Sequence, residues 1–379
     1  MAHVGVVAIL TRFENLTDPR IERTKHHLLI DMVAIALCAA ICGADSWVDV
    51  EKFGRAKRDW FARFLQLPYG IPTHDTFGRV FARLDTQEFL LCLQNWLRSL
   101  HLSLKDQGVA IDGKTLRGSF DAASGKSALH VVSAWASGLR LSLGQVAVDG
   151  KSNEITAVPK LLELLELTGA VVTMDAMHCQ KETLRAIRAK GADYLVPVKD
   201  NQPKLYTLLL ETFIAHGEQP AAAPRLRQHR TVERNRGREE ERIVYAAPPP
   251  AALRSHAEWV DVRSVVMVYR ATQRGQKLTE ETSYFLSSLP PQVKRIARYI
   301  RGHWGIENSL HWTLDVIFAE DRSRIRTGNG PEIASIFRKL AMLVLQQDTT
   351  SNGSLRGKRL QAGWNEDFLE RLLCGFSRD

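Results

Sequence analysis

The sequence has few cysteines and no long uninterrupted hydrophobic stretch. Its five cysteines are scattered over 379 residues, and Cys38 and Cys42 have no second Cys/His pair at zinc-ligand spacing. This argues against a disulfide framework or a zinc site and favours a reducing compartment. The longest apolar run, residues 32–43, is shorter than the roughly 20 residues of a membrane helix. Residues 1–10 lack the basic start and cleavage site of a signal peptide, so we expect a cytoplasmic, nucleoid-associated protein without a membrane partner.

Acidic residues are outnumbered by basic ones. The chain has 42 Asp and Glu against 51 Lys and Arg, which gives a net charge of +9 and a pI near 9.4. Such a surplus favours a polyanionic partner, although a basic surface also serves solubility alone. The length predicts a catalytic core with one or two added pieces.

The spacing of apolar residues divides the chain into regions. A helical period up to residue 104 predicts a helical N-terminal domain, residues 1–104. Residues 72–81 have the cap-and-helix pattern of a helix-turn-helix, so this domain is a candidate DNA-binding unit, with a solvated charged face as the alternative. Residues 105–216 follow the order of three strands, helix, strand, helix, strand, helix. That order predicts an α/β fold of the RNase H-like type, a mixed sheet flanked by helices.

Residues 217–288 interrupt this order and predict a β-rich, basic insertion. Its arginines alternate in part with glutamates, so an ion-paired, solvated hairpin is the alternative to a DNA-binding surface. Helices return over residues 289–348 and complete the catalytic core, and residues 349–379 are expected to form a small basic tail. The arginines of the insertion are Arg225, Arg227, Arg230, Arg234, Arg236, Arg238 and Arg242.

Two aspartates follow apolar strands at matching places. Asp112 is predicted to end the first strand and Asp175 the fourth, and these strands are neighbours in an RNase H-like sheet. One such aspartate commonly caps a turn, whereas two at paired positions favour a functional site, because an unpaired buried carboxylate is costly. Carboxylates from distant segments are the hard oxygen ligands that hold Mg²⁺ in phosphoryl transfer.

Three segments resemble the catalytic blocks of a known family. They read AIDGKTLRGS at residues 110–119, TMDAMHCQ at residues 173–180 and HWGIENSLHW at residues 303–312. With residues 191–202, they resemble the ISAs1-family transposases, also called H-repeat-associated proteins, within the IS4-like DDE group. The resemblance extends from residue 16 to residue 345. It implies that Asp112, Asp175 and Glu307 are both the catalytic and the metal-binding residues.

The resemblance also implies cofactors and partners. The cofactor is a pair of Mg²⁺ ions, for which Mn²⁺ substitutes. The partners are double-stranded DNA, as terminal inverted repeats and as target, and a second copy of the chain in a synaptic homodimer. The residues that we assign to DNA contact are Lys114, Arg117, Lys199, Asn201, Gln202, Arg301, His303 and Trp304.

The last catalytic segment departs from the wider group's pattern Tyr-x-x-Arg-x-x-x-Glu-x₆-Lys. Ile300, His303 and Leu314 occupy the tyrosine, arginine and lysine positions, so the DNA contacts of that signature do not transfer. His303 and His311 have packing or capping as alternatives to catalysis, and Lys199 has a solvated turn. Trp304 and Trp312 are expected to pack in the core or to stack, with a flipped DNA base as a further alternative.

Several acidic residues after Glu307 compete for the third position. An undistorted helix places Asp315 about 12 Å further along the axis than Glu307, so one helix cannot direct both to the same metal pair. We therefore choose Glu307. Asp315, Glu320 and Asp321 are expected at the surface, paired with Arg322, Arg324 and Arg326.

These observations predict an insertion-sequence transposase that binds element ends, cleaves a DNA strand and joins it to a target. An RNase H-like nuclease or resolvase that only hydrolyses DNA is one alternative. A catalytically silent DNA-binding relic is another, and the intact triad argues against it. An inverting glycosidase is disfavoured by the basic pI and by the lack of an aromatic-rich sugar cleft.

Overall fold

The N-terminal part of the chain is helical, as predicted. The computed structural model describes residues 10–122, 125–148, 153–218, 226–235, 237–254 and 258–374. The Ser46 side chain accepts a hydrogen bond from the backbone of Asp49, and Asp49 accepts one from the backbone of Ser46, so a reciprocal capping box starts the second helix. The first helices are α1 (Leu29–Cys42), α2 (Trp47–Ala56), α3 (Arg58–Phe61), α4 (His74–Phe81) and α5 (Thr86–Ser99).

The region after residue 105 begins with an antiparallel meander. Its strands are β1 (Gly108–Leu116), β2 (Leu129–Ala136) and β3 (Leu141–Ala147). Helix α6 (Glu154–Leu164) leads to β4 (Val171–Thr173), α7 (Lys181–Ala189) to β5 (Asp193–Val198), and α8 (Pro203–Glu218) follows. β4 is parallel to β1, and β5 is parallel to β4. A meander extended by parallel strands through helical crossovers is the RNase H-like arrangement, which confirms the predicted fold class.

The insertion is β-rich, as predicted, and it extends the same sheet. Its strands are β6 (Arg227–Asn235), β7 (Arg238–Ala247), β8 (Ser264–Arg274) and β9 (Lys277–Ser287), with a short helix α9 (Ala251–Arg254). β9 runs antiparallel to β5, and the described sheet has nine strands in the order β3-β2-β1-β4-β5-β9-β8-β7-β6. Arg230 pairs with Glu241, and Arg234 with Glu239, so the outer hairpin is ion-paired. Arg225 and Arg236 lie outside the described residues.

The last third of the chain returns to helices. They are α10 (Val293–His303), a π-helical segment (Ile306–His311), α11 (Trp312–Val316), α12 (Gly330–Gln347), α13 (Leu355–Trp364) and α14 (Glu366–Cys374). α12 is buried from Gly330 to Leu345. The predicted basic tail is instead two packed helices, because Phe368 and Leu369 belong to the main apolar core. Its Arg359 is buried and donates hydrogen bonds to the backbone carbonyls of Ala40 and Ile317.

Helix α1 contains the longest apolar run of the sequence and lies in the interior. Its residues from Met32 to Ile41 are buried, and it packs against α12 and α13. Within the described ranges, no single helix has the length and hydropathy of a membrane crossing, and α1 and α2 reach them only as a pair bent by 97°.

Candidate active site

Asp112 lies inside β1 rather than at its end. The sequence predicted a strand ending at this residue, but β1 continues to Leu116 because β2 pairs with it throughout, with Ser133 opposite Asp112. On the other side, β4 pairs only with Gly108, Val109 and Ala110. Asp112 therefore lies just past the point where the neighbouring parallel strand stops, and its side chain is 19% exposed.

Asp175 lies at the equivalent level of the next strand. The last registered pair of β1 and β4 joins Ala110 to Thr173, and each aspartate follows two residues later. Parallel neighbours are about 4.8 Å apart, so the two carboxylates emerge from one edge of the sheet. Asp175 is 66% exposed and begins a turn of 3₁₀-helix over Ala176–His178.

The charge of Glu307, the third predicted carboxylate, also acts on Asp112. Burial raises the pKa of Asp112 to about 6, and the negative charges of Asp175 and Glu307 add to this shift, against a hydrogen bond from the backbone N–H of Gly113 and the charge of His303. The pKa of Asp175 is lowered, mainly by the neighbouring His303. The negative charges of Asp175 and Glu307 thus both act on Asp112.

Glu307 is exposed and belongs to the π-helical segment between α10 and α11. A π turn inserts one extra residue into the helical repeat and is frequent at functional sites. The choice of Glu307 over Asp315 depends on the assumption of an undistorted helix between them. The structure corrects that assumption, because the extra residue changes which side chains share a face.

In the described structure the acidic residues after Glu307 form no ion pair with Arg322, Arg324 or Arg326, which corrects a second expectation. Asp315 and Glu320 both accept hydrogen bonds from the ammonium of Lys114, at 2.5 and 2.7 Å, and Asp321 pairs with Arg117 at 3.5 Å. Glu320 is 1% exposed. Lys114 is therefore engaged within the protein, which favours an internal role over the phosphate contact expected from the sequence, whereas Arg117 is exposed.

Two histidines face the aspartates from the catalytic helices. His303 shares a hydrogen bond of 3.0 Å with the Thr173 hydroxyl, and its Nε2 lies 3.6 Å from Oδ1 of Asp175. The Nδ1 of His311 lies 3.6 Å from Oδ2 of Asp112. Burial, with the charges of Lys339 and Lys114, lowers the pKa of His311 to about 3. His311 is therefore neutral near pH 7, and both rings line the carboxylate group.

The segment after Asp175 is held by side chains that the sequence had assigned to DNA. The amide of Asn201 donates to the carbonyl of Ala176 at 2.8 Å, and that of Gln202 donates to the carbonyl of Cys179 at 2.9 Å. These bonds fix the turn that begins at Asp175. Lys199 is exposed and, with Asp175, lines a cavity of about 200 Å³.

A His–Glu–His bridge near the site was missed by the sequence reasoning. Glu154, at the start of α6, accepts hydrogen bonds from His130 at 2.7 Å and from the buried His178 at 3.2 Å. It thereby joins β2 to the turn that follows Asp175. The position of His178 three residues after Asp175, in a conspicuous block, was the available signal, but its partners are remote in sequence.

A wider cavity adjoins the catalytic helices. It has a volume of about 670 Å³ and lies between the insertion and the segment that carries Glu307. Trp304 contributes an exposed ring, and Arg301 is partly neutralised by Glu233. The arginines that line it are Arg238, Arg242, Arg270, Arg274 and Arg301.

The donor set suits a hard divalent cation. Among the residues that the structure describes, no three or more His, Cys, Asp or Glu side chains are already arranged to hold a metal ion. Asp112, Asp175 and Glu307 nevertheless offer carboxylate oxygens only, which is the chemistry that Mg²⁺ prefers. Burial and the neighbouring negative charges both raise the pKa of Asp112, and a bound cation would offset the repulsion among the carboxylates.

The sequence of this chain is similar to those of known transposases. A family model described as "DDE_Tnp_1-associated" matches residues 10–97, and one described as "Transposase DDE domain" matches residues 103–344. The "H repeat-associated putative transposase YhhI" of Escherichia coli strain K12 is 36% identical over 92% of this chain and 93% of its own length. The "Putative transposase YncI" of Escherichia coli O157:H7 is 35% identical over 99% and 96%. A solved structure of the piggyBac transposase synaptic complex with hairpin DNA covers 97% of this chain and 81% of its own, with 10% identity and a TM-score of 0.45.

Proposed function

Because this chain belongs to the ISAs1 family of DDE transposases, we propose that it binds the ends of a bacterial insertion sequence and catalyses metal-dependent DNA cleavage and strand transfer. The observation that supports this most directly is the level placement of Asp112 and Asp175 at one edge of the sheet. Glu307 contributes the third negative charge at that edge.

In this proposal, Asp112, Asp175 and Glu307 hold two Mg²⁺ ions. Such ions neutralise charge on the phosphate and activate the attacking oxygen. The chain's own contribution is to hold Asp112 and Asp175 on restrained elements. β1 is paired along its whole length with β2, and Asn201, Gln202 and Glu154 restrain the turn after Asp175.

The arginine-lined cavity beside Glu307 is the proposed path of a DNA strand. Its volume of about 670 Å³ and its arginines suit a phosphate backbone. Arg238 and Arg270 are ion-paired with Glu240 and Glu281, whereas Arg274 has no ion pair among the described residues. Trp304, at the boundary of this cavity and the one at Asp175, offers an exposed ring on which a base stacks. The proposed order of events is hydrolysis that frees a 3′-hydroxyl, followed by attack of that hydroxyl on target DNA.

The test uses a supercoiled plasmid that carries the gene with its genomic flanks. Incubation with purified protein and Mg²⁺ or Mn²⁺ is expected to give breaks at the two borders of the element and, with a second plasmid, joined products. Ca²⁺ or EDTA serves as the control without turnover. Breaks without joined products would indicate the hydrolytic nuclease. Binding without breaks in any metal would indicate the silent relic and overturn the proposal.

The proposal includes a homodimer that holds both element ends. Light scattering on the complex with flank DNA gives its stoichiometry, and two chains per pair of ends are expected. One chain per end without pairing of ends would contradict this part alone.

A further inference from the structure

One lysine gathers acidic side chains from the chain segment that follows Glu307. Lys114 lies two residues after Asp112 on β1, and its ammonium contacts Asp315 at 2.5 Å and Glu320 at 2.7 Å, with Asp321 at 4.0 Å. The Lys114 side chain is 10% exposed. An ammonium has three protons to donate, and two are committed to carboxylates within the protein.

The partners of Lys114 belong to the elements that carry the third carboxylate. Asp315 is in α11, directly after the π-helical segment of Glu307, and Glu320 is in the next 3₁₀ turn. Lys114 is on the strand of Asp112. These contacts therefore connect the first and third catalytic carboxylates through side chains that are not themselves part of the triad.

Helix α12 makes further contacts with both sides of this connection between β1 and the Glu307 segment. Glu320 accepts a hydrogen bond of 2.9 Å from the Ser335 hydroxyl on α12. Lys339, on the same helix, donates at 2.7 Å to Ser133, which is the β2 residue opposite Asp112. The buried helix α12 thus contacts both the acid that holds Lys114 and the strand beside Asp112.

We infer that Lys114 is a positioning residue, which binds Asp315 and Glu320 in order to hold the Glu307 segment at a fixed distance from Asp112. This inference rests on the proposed function. A phosphate contact by Lys114 would need both carboxylates to release a largely buried ammonium, which would leave the buried Glu320 without its hydrogen-bonded cation at a large energetic cost. Two-metal chemistry needs its carboxylates at a set spacing, and groups that orient metal ligands typically change metal affinity or activity by about 10- to 100-fold when removed.

The experiment compares three variants of the full chain. Lys114→Met removes the ammonium and keeps a long side chain. Asp315→Asn weakens only the bond to α11 and keeps the Lys114–Glu320 pair. It therefore tests the role of the Lys114 contacts even if Lys114→Met fails to fold. Lys358→Met is the matched control, because Lys358 is also 10% exposed and bound to a carboxylate, Asp348, at 2.9 Å, but lies on α13.

Four quantities are measured: the melting temperature, Mn²⁺ affinity by electron paramagnetic resonance, DNA affinity across salt, and cleavage. Lys114→Met is expected to lower Mn²⁺ affinity and cleavage by about 10- to 100-fold, with Asp315→Asn near the lower end of that range. DNA affinity and its salt dependence stay at wild-type values. Lys358→Met lowers the melting temperature alone.

Several results would overturn the inference. Weaker DNA binding with a shallower salt dependence would make Lys114 a phosphate contact. Unchanged Mn²⁺ affinity in both Lys114→Met and Asp315→Asn would mean that the cluster has a structural role only. If Lys114→Met fails to fold, wild-type Mn²⁺ affinity in Asp315→Asn would lead to the same conclusion.

If the wild-type protein binds Mn²⁺ but cleaves no DNA, the proposed function fails, while the Mn²⁺ affinities of the variants still test the role of Lys114. If Asp112→Asn leaves Mn²⁺ binding unchanged, the carboxylate site and the inference both fail.

Discussion

Asp112 and Asp175 are level across the sheet, each two residues beyond Ala110 and Thr173, the last residues that pair β1 with β4. His303 and His311, the histidines beside them, each lie 3.6 Å from a carboxylate oxygen, which is beyond hydrogen-bond distance. This arrangement of two carboxylates, exposed to each other's charge, underlies the first prediction.

Asp112→Asn and Asp175→Asn are each expected to reduce cleavage by about 10³-fold or more, because each removes a metal ligand. DNA binding, measured by fluorescence anisotropy, is expected to persist. Asp106→Asn is the control, since Asp106 precedes the other end of β1 and pairs with Arg295. Cleavage at the wild-type rate by either variant would disprove the assignment.

Glu307→Gln is expected to be as damaging as Asp112→Asn, whereas Asp315→Asn retains activity within about 10-fold of wild type. The first loses a metal ligand, and the second loosens the contact of α11 with Lys114. Single-turnover cleavage rates separate the two. An active Glu307→Gln together with an inactive Asp315→Asn would mean that the third ligand had been misassigned.

Asp112→Asn is also expected to stabilise the metal-free protein at neutral pH. The pKa of Asp112 is raised from 3.8 to about 6 in the folded state, so its ionisation disfavours folding. That destabilisation is present in full above pH 6 and disappears as the pH falls towards 3.8, the ordinary pKa of an aspartate. It amounts to about 3 kcal/mol at most. Melting temperatures in EDTA between pH 4 and 8 test this: the variant's advantage at pH 8 should vanish near pH 4.

The same experiment has a second arm with metal. Added Mg²⁺ is expected to raise the melting temperature of the wild type more than that of Asp112→Asn, because only the wild type has the complete carboxylate set. A variant that is less stable than the wild type at every pH would contradict the proposed repulsion among the carboxylates.

DNA binding is expected to weaken steeply as salt increases, because phosphate contacts release counterions. Arg274→Gln should reduce the slope of log affinity against log salt by about 1 if Arg274 contacts one phosphate. Arg371→Gln, on α14, is the control. A flat response in the wild-type protein would mean that its net charge of +9 is dispersed and that the partner is not a polyanion.

Gly113→Ala is expected to impair both stability and cleavage. A Cβ at this position would lie 2.4 Å from Oε1 of Glu154 and 2.6 Å from Nε2 of His130. Glu154 would have to move and lose its bonds to the two histidines, which releases the turn after Asp175. Gly217→Ala is the control, because a Cβ there meets nothing within 4 Å. Equal melting temperatures and equal cleavage for both variants would refute the role of the bridge.

The sequence revealed those features whose signals are local. Apolar strands followed by Asp112 and Asp175 indicated both the fold and two site residues, because hydrophobic periodicity and chain order determine which strands are neighbours. The π-helical segment at Glu307 was missed, since the phase shift caused by one extra residue cannot be recognised in a segment of six residues.

Features that depend on remote partners were predicted wrongly or not at all. Lys114 bonds to Asp315, 201 positions away, and no local pattern distinguishes such a lysine from a solvated one. Arg359 was assigned to a basic tail because charge usually marks a surface, but three carbonyl and carboxylate partners accept its hydrogen bonds in the interior. Buried charges of this kind are recognisable only once their partners are known.

The pairing of β9 with β5 has a consequence for how this protein can change. The chain leaves the core sheet at Val198 and comes back beside the same residue at Tyr284, so the long excursion between them closes on itself. The entropy of closing such an excursion grows only with the logarithm of its length, by about 0.6 kcal/mol for each doubling. Helix α10 therefore starts from the same place however long the excursion is. The insertion is a part of the chain that can be lengthened, shortened or exchanged while Glu307 keeps its position relative to the sheet.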